Sequence, residues 1–215
     1  MKTWWLTLLA SSLVLGATAQ TYPDPEFSNE IWLLKKEGTY SLVRLEKNIS
    51  KMETKTKFGG IGGSENGYTI EGEKSPVRFN SGDHLSFVYS TGAAGGGKSA
   101  QSDSMMRANG VDPSMMPTMG SMNDPQNMIS LYRTEVGKGQ RKVLLQKSPG
   151  ALPFSSHRIQ SSDKYTFSVR KIRDGYWELS VDKSLPRGEY AFTMMDYSSM
   201  SGPMGGMLLF AFAID

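Results

Sequence analysis

The sequence predicts an all-β protein, an antiparallel sandwich with extra strands at its N-terminal side. Three observations carry that expectation. Short apolar runs recur between clusters of Gly, Pro, Asn, Asp and Ser, and no window of about eleven residues holds a 3.6-residue period. Leu185, Gly188 and Tyr190 stand at the spacing of a tyrosine corner, in which a Tyr near a strand start turns its hydroxyl back to a chain crossing between sheets. Met207 to Ile214 is an unbroken apolar run suited to a closing strand.

Taken in order, residues 1–19 read as a secretory signal. Lys2 supplies the positive end, Trp4 to Ala17 the apolar centre and Ala17-Thr-Ala19 the small-residue cleavage site, leaving Gln20 as the new terminus. The apolar part is short for a membrane span. The expected place is therefore a periplasm, a cell surface or the cell exterior. The formal charge of +3 falls to +2 once Lys2 is removed, and no block of five like charges exists, which speaks against nucleic acid as a partner. There is no Cys, so disulfide and thiol chemistry are excluded.

Tyr22-Pro-Asp-Pro-Glu26 predicts an extended leader, because a residue before Pro is pushed away from helix. Glu30–Lys36 and Thr39–Glu46 flank a tight turn at Glu37-Gly38. Lys51–Lys57 suits an edge strand guarded by Lys. After a Gly-rich loop come strands at Gly67–Glu71 and Val77–Phe79. His84–Ser90 alternates Leu85, Phe87 and Tyr89 against Ser86 and Ser90. Residues 20–75 are expected to join the same sandwich as the core, 76–215. Residues 91–126 break the rhythm and predict a long Met/Gly-rich insertion. Strands resume at Met128–Val136 and Gln140–Gln146, joined by Gly137-Lys-Gly139, and continue at Lys164–Arg170 and Tyr176–Val181. Counted back from the corner, the order is immunoglobulin-like. His84–Ser90 and Met128–Val136 take the second and third places, and the loops at 91–126 and 196–206 emerge at one end.

Of 14 Met, 12 fall in two windows, 105–128 and 194–207, which makes thioether chemistry the one oddity to weigh. Thioethers are soft ligands that favour Cu(I), and Met115, Met116, Met119 and Met122 with Met200 and Met204 are the candidate ligands. Equally, Met fills space and makes adaptable contact surfaces. Met115-Met-Pro-Thr-Met-Gly-Ser-Met122 resembles the Met-rich loops of periplasmic copper-resistance β-sandwich proteins, although it lacks their nearby His.

Gly92-Ala-Ala-Gly-Gly-Gly97-Lys98-Ser99 matches the phosphate-cradling loop in letters, but that chemistry needs a helix after the Lys whose amides meet the phosphates. The residues after Ser99 are polar and broken by Gly and Pro instead. Only His84 and His157 are present, neither within a ligand-spaced cluster, and no G-x-S-x-G marks a nucleophile. Asn48-Ile-Ser50 fits a glycosylation pattern that counts only in a eukaryotic secretory route.

Gly72-Glu-Lys-Ser-Pro-Val-Arg-Phe79, Leu131-Tyr-Arg133, Leu185-Pro-Arg-Gly-Glu-Tyr-Ala-Phe192 and Phe210-Ala-Phe-Ala-Ile-Asp215 resemble uncharacterised secreted proteins of Bacteroidota and related Gram-negative bacteria. The resemblance implies a β-sandwich ending in a C-terminal strand and lends no reaction. The function expected is a non-catalytic binding or structural protein with an unknown protein or peptide partner. Cu(I) binding through the Met loops is the alternative, and a hydrolase with an unrecognised site is the third.

Overall fold

The computed structural model describes residues 21–56, 63–82, 84–92, 124–149, 160–195 and 206–215. Their fifteen strands form three sheets, which we call front, middle and back. The front sheet runs β12(Phe167–Arg173)-β13(Tyr176–Val181)-β7(Ser86–Ser90)-β1(Glu30–Lys35)-β2(Ser41–Arg44). The middle sheet runs β11(Lys164–Tyr165)-β8(Ile129–Arg133)-β14(Gly188–Met195)-β15(Met207–Ile214)-β3(Glu46–Ser50), with β6(Arg78–Phe79) beside β15. The back sheet runs β4(Glu53–Thr56)-β5(Ser64–Glu71)-β10(Gln140–Ser148)-β9(Glu135–Gly137). All pairings are antiparallel except β6 with β15. The described helix is the single turn α1(Pro125–Met128).

The all-β sandwich is therefore present, with a third layer that the two-sheet expectation lacked. Its cause lies in β14 and β15, which are apolar on both faces. Tyr190, Phe192, Met194, Leu208, Phe210, Phe212 and Ile214 pack forward against Ile31, Leu33, Phe87, Tyr89 and Leu179 of the front sheet. The alternate residues Ala191, Leu209 and Ala211 pack backward against Tyr68, Ile70 and Val143. A strand buried on both faces loses its polar alternation and reads as a continuous apolar run. The same reason corrects β7. The alternation of Phe87 and Tyr89 against Ser86 and Ser90 holds, but the Ser face is covered too, and all five residues of the strand are buried.

Three predicted strands change sheet partway. Thr39–Glu46 leaves the front sheet after Arg44, and the chain re-enters as β3 in the middle sheet one residue later. Met128–Val136 divides at Thr134, with β8 in the middle sheet and β9 in the back. Lys164–Arg170 divides at Thr166, with β11 in the middle sheet and β12 in the front. A single residue at each corner separates the two strands while the hydrogen-bonding partner changes, so side-chain pattern alone sees one strand. The N-terminal strands are hydrogen-bonded into the same sheets: β1 lies between β7 and β2, and β3 edges the middle sheet. Lys51–Lys57 resolves as β4, an edge of the back sheet. Lys138 and Gly139, at φ 56° and 76°, make the two-residue turn between β9 and β10.

A buried ion network fastens the back sheet to the middle one. Arg141, fully enclosed, donates from both terminal nitrogens to Glu46 at 2.8 and 2.7 Å, from Nε to the Gly72 carbonyl at 3.0 Å and from Nη2 to the Glu71 carbonyl at 3.0 Å. It also pairs with Glu189 at 3.6 Å. Glu189 accepts from Ser75 N at 2.8 Å and pairs with Arg78 at 3.1 Å, and Arg78 in turn holds Asp215. Burial pushes the Glu46 carboxyl up, but hydrogen bonds and charge from Arg141 outweigh it and hold it below the usual range.

Candidate functional site

The segment between β13 and β14 carries Leu185, Gly188 and Tyr190. It crosses from the front sheet to the middle one, and the Tyr190 hydroxyl donates to the Pro186 carbonyl at 2.6 Å. Leu185 is buried in the forward core. Gly188 begins β14 against Arg133, whose Nε would lie 3.0 Å from an added Cβ and whose guanidinium donates to the Arg187 carbonyl. From this crossing β14 runs towards Met195. β7 runs the same way, because its start is held there by Val181 N donating to the Leu85 carbonyl.

The opposite end of the sandwich is therefore where β7 stops, β8 starts, β14 stops and β15 starts. Two cross-strand rows define it. Ile129 stands beside Met194, Met194 beside Leu208 and Leu208 beside Ile49. In the next row Met195 stands beside Met207 and Met207 beside Ser50. Both windows rich in Met thus leave from and return to one end. The helix turn at the return of the first is fixed by Asp124, whose side chain accepts from Gln126 N at 3.0 Å, and by Pro125 at the first helical position.

The six candidate ligands Met115, Met116, Met119, Met122, Met200 and Met204 lie outside the described residues, as do residues 93–99 of the Gly-Lys-Ser motif and His157. The Met residues that flank them divide in use. Met194 is buried in the forward core, Met128 packs against that core, and Met207 packs against the backward one. Met195 is 46% exposed and Ile49 66% exposed at the same end. In the sequence Ile49 stands out only as the middle of a glycosylation triplet, and its exposure follows from its place on an edge strand beyond the cover of its neighbours.

His84 is exposed at the other end, beside a small cleft lined with Leu85, Val181, Asp182 and Leu185. Asp182 there accepts from the Ser168 hydroxyl at 2.7 Å. Among the described residues no group of three or more His, Asp or Glu side chains converges as a metal site. No described helix is long and apolar enough to cross a membrane.

A second polar cluster, invisible in the sequence, occupies the outer face of the front sheet. Glu178 is buried there and accepts from Lys36, from Ser86, from Arg170 and, at 2.8 Å, from the Tyr22 hydroxyl. Burial alone would raise its pKa, but these four donors outweigh burial and bring the carboxyl down to about 2. Burial and the same carboxylate push the Tyr22 phenol up to about 12. Because every Glu178 oxygen has donors, the cluster acts as an anchor for Tyr22. A general base would need an unoccupied lone pair at the site.

No family model, no curated protein and no solved structure matches this chain.

Proposed function

We propose that this chain is an exported, non-catalytic sandwich of immunoglobulin-like strand order that receives a protein or peptide partner at the end bearing its two long loops. The order is supported by the neighbours β12-β13-β7-β1 and β8-β14-β15, which read as D-E-B-A and C-F-G of such a domain. Export rests on the leader at residues 1–19, and the resemblance to uncharacterised secreted proteins of Bacteroidota agrees with it. The observation that carries the binding reading is the joint rooting of both loops at one end, where Met195 of β14 and Ile49 of the edge strand β3 are exposed, one on each face of the middle sheet. Apolar side chains exposed beside flexible thioethers make an adaptable contact surface. A photo-crosslinking residue at Ile49 or Met195, in cells making the protein, is expected to trap one discrete partner. The same probe at Lys183, exposed in the β13–β14 crossing at the opposite end, is expected to trap none. Equal labelling at all three positions sinks the reading.

The same rooting favours Cu(I) as the second reading, since it brings the chain segments carrying Met115, Met116, Met119, Met122, Met200 and Met204 to one end. Competition against a chromogenic Cu(I) chelator without oxygen separates the two. Metal binding is abolished when these six Met become Leu, whereas a packing surface keeps its partner, because Leu retains the volume and loses only the sulfur donor.

A further inference from the structure

The back sheet is built with more unmet costs than the front one. To its seam it brings Tyr68, Ile70 and Val143, set against Ala191, Leu209 and Ala211. The front seam interlocks rings from both of its sheets, Phe87 with Phe192 and Phe212. Among the described residues four buried side-chain atoms lack a hydrogen-bond partner, and three belong to the back sheet or its junction. They are Asn66 Oδ1, Thr134 Oγ1 and Lys142 Nζ, the last 3.7 Å from Glu65. A buried polar atom left without a partner gives up its water and gains nothing in exchange. β10 also carries a bulge between Leu144 and Gln146, which interrupts its ladder with β5. Inside β5, Gly67 leaves no room for a packing side chain, since an added Cβ would stand 2.3 Å from the Val143 carbonyl oxygen.

What fastens this sheet is charge, and the charge is enclosed. The Arg141 side chain is 1% exposed and stands between Glu46 of β3 and Glu189 of β14. Facing Glu46 are Arg141 from β10, Ser75 ahead of β6, Asn48 on its own strand and Ala211 of β15, while Glu189 also meets Arg78 of β6. A guanidinium keeps its proton, so acid neutralises the two carboxylates and leaves the cation. An enclosed cation without its counter-charges is costly, and water reaches it only if the back sheet lifts. The front sheet meets acid differently. Its buried Glu30 and Glu178 lie on the outer face, and their partners Lys36, Arg44, Lys47 and Arg170 have side chains 36–65% exposed. Those cations hydrate where they stand, with no seam to open.

We propose that the back sheet, β4, β5, β10 and β9, opens as a unit before the rest of the molecule, and that acid drives this opening. It uncovers the rear of β14 and β15 while the front seam stays closed. Hydrogen exchange of the full chain, read by peptide mass and corrected for the intrinsic rate at each pH, tests it. At about pH 7, β5 and β10 are expected to be protected about tenfold less than β7 and β13. At about pH 3 the protection of β5 and β10 falls about tenfold further, while that of β7 and β13 changes by less than about threefold. Arg141→Met removes the enclosed charge, and its β5 and β10 protection is expected to be the same at both pH values. Equal protection of all four strands in acid makes the molecule one cooperative unit and overturns the proposal. So does loosening of β7 and β13 first, or an acid effect that Arg141→Met keeps in full. If that variant does not fold, the parent's profile at the two pH values decides.

Discussion

On its front, the middle sheet presents Tyr190, Phe192, Phe210 and Phe212, and on its back, from the same two strands, Ala191, Leu209 and Ala211. The front seam is closed by rings: Phe87 meets Phe192 edge-on at 4.8 Å, and Tyr190 stacks on Phe212 at 5.6 Å. The back seam has a smaller apolar cluster and relies on Arg141, Glu46 and Glu189 beside it. A strand pair that alternates large and small residues can thus serve two neighbours at once. Rings fill the front seam, and the back seam combines small apolar residues with buried ion pairs.

Four substitutions put the contrast between the seams to the test. The largest effect is expected from Phe192→Ala, which empties the centre of the front seam and lowers stability by about 3–5 kcal/mol in chemical denaturation. Arg141→Ala strikes the back seam, leaving Glu46 and Glu189 without their shared cation, and is expected to cost about 3 kcal/mol. The two variants should differ in acid. Because the folded Glu46 carboxyl is held below its ordinary value, its stabilising contribution is complete above about pH 4.5 and is lost as pH falls through the lower folded value. Stability of the parent should therefore fall more steeply with acid than that of Arg141→Ala, while Phe192→Ala keeps the parental slope. Parallel slopes for parent and Arg141→Ala would deny the network its role.

Ala211→Leu tests the close approach of the third layer. Overpacking of the back seam is expected to cost about 1–3 kcal/mol, where the same residue on the front would find rings of its own size. The smallest effect belongs to Tyr190→Phe, which removes one hydrogen bond to the Pro186 carbonyl and should lower stability by about 0.5–1.5 kcal/mol. An unchanged denaturation midpoint would mean that the hydroxyl contributes nothing to the crossing.

Much of the sandwich was legible because its signals are local. The Gly137-Lys-Gly139 turn, the Lys-guarded edge at β4 and the β14–β15 pair each follow from residues adjacent in sequence. The third sheet was not legible, because the choice between Phe and Ala on alternate positions of β15 gives no polar period to read. The changes of sheet at Leu45, Thr134 and Thr166 were hidden for a related reason, since each is a single residue with no turn signal around it. The Glu178 anchor joins residues from Tyr22, Lys36, Ser86 and Arg170, and no spacing rule links positions so far apart. Of the candidate site, the pairing of the two Met windows at one end was readable by strand counting. The exposure of Ile49 and Met195 depends on which neighbours fall short, and that is a property of the folded chain alone.

β15 lies between β14 and β3 and contributes to both seams, yet it is the strand laid down last. Its partner β3 belongs to the opening quarter of the chain. Neither core can close until β15 has joined β14 and β3, so the earlier strands wait on a partner far along the chain. The many distant pairings imply slow closure.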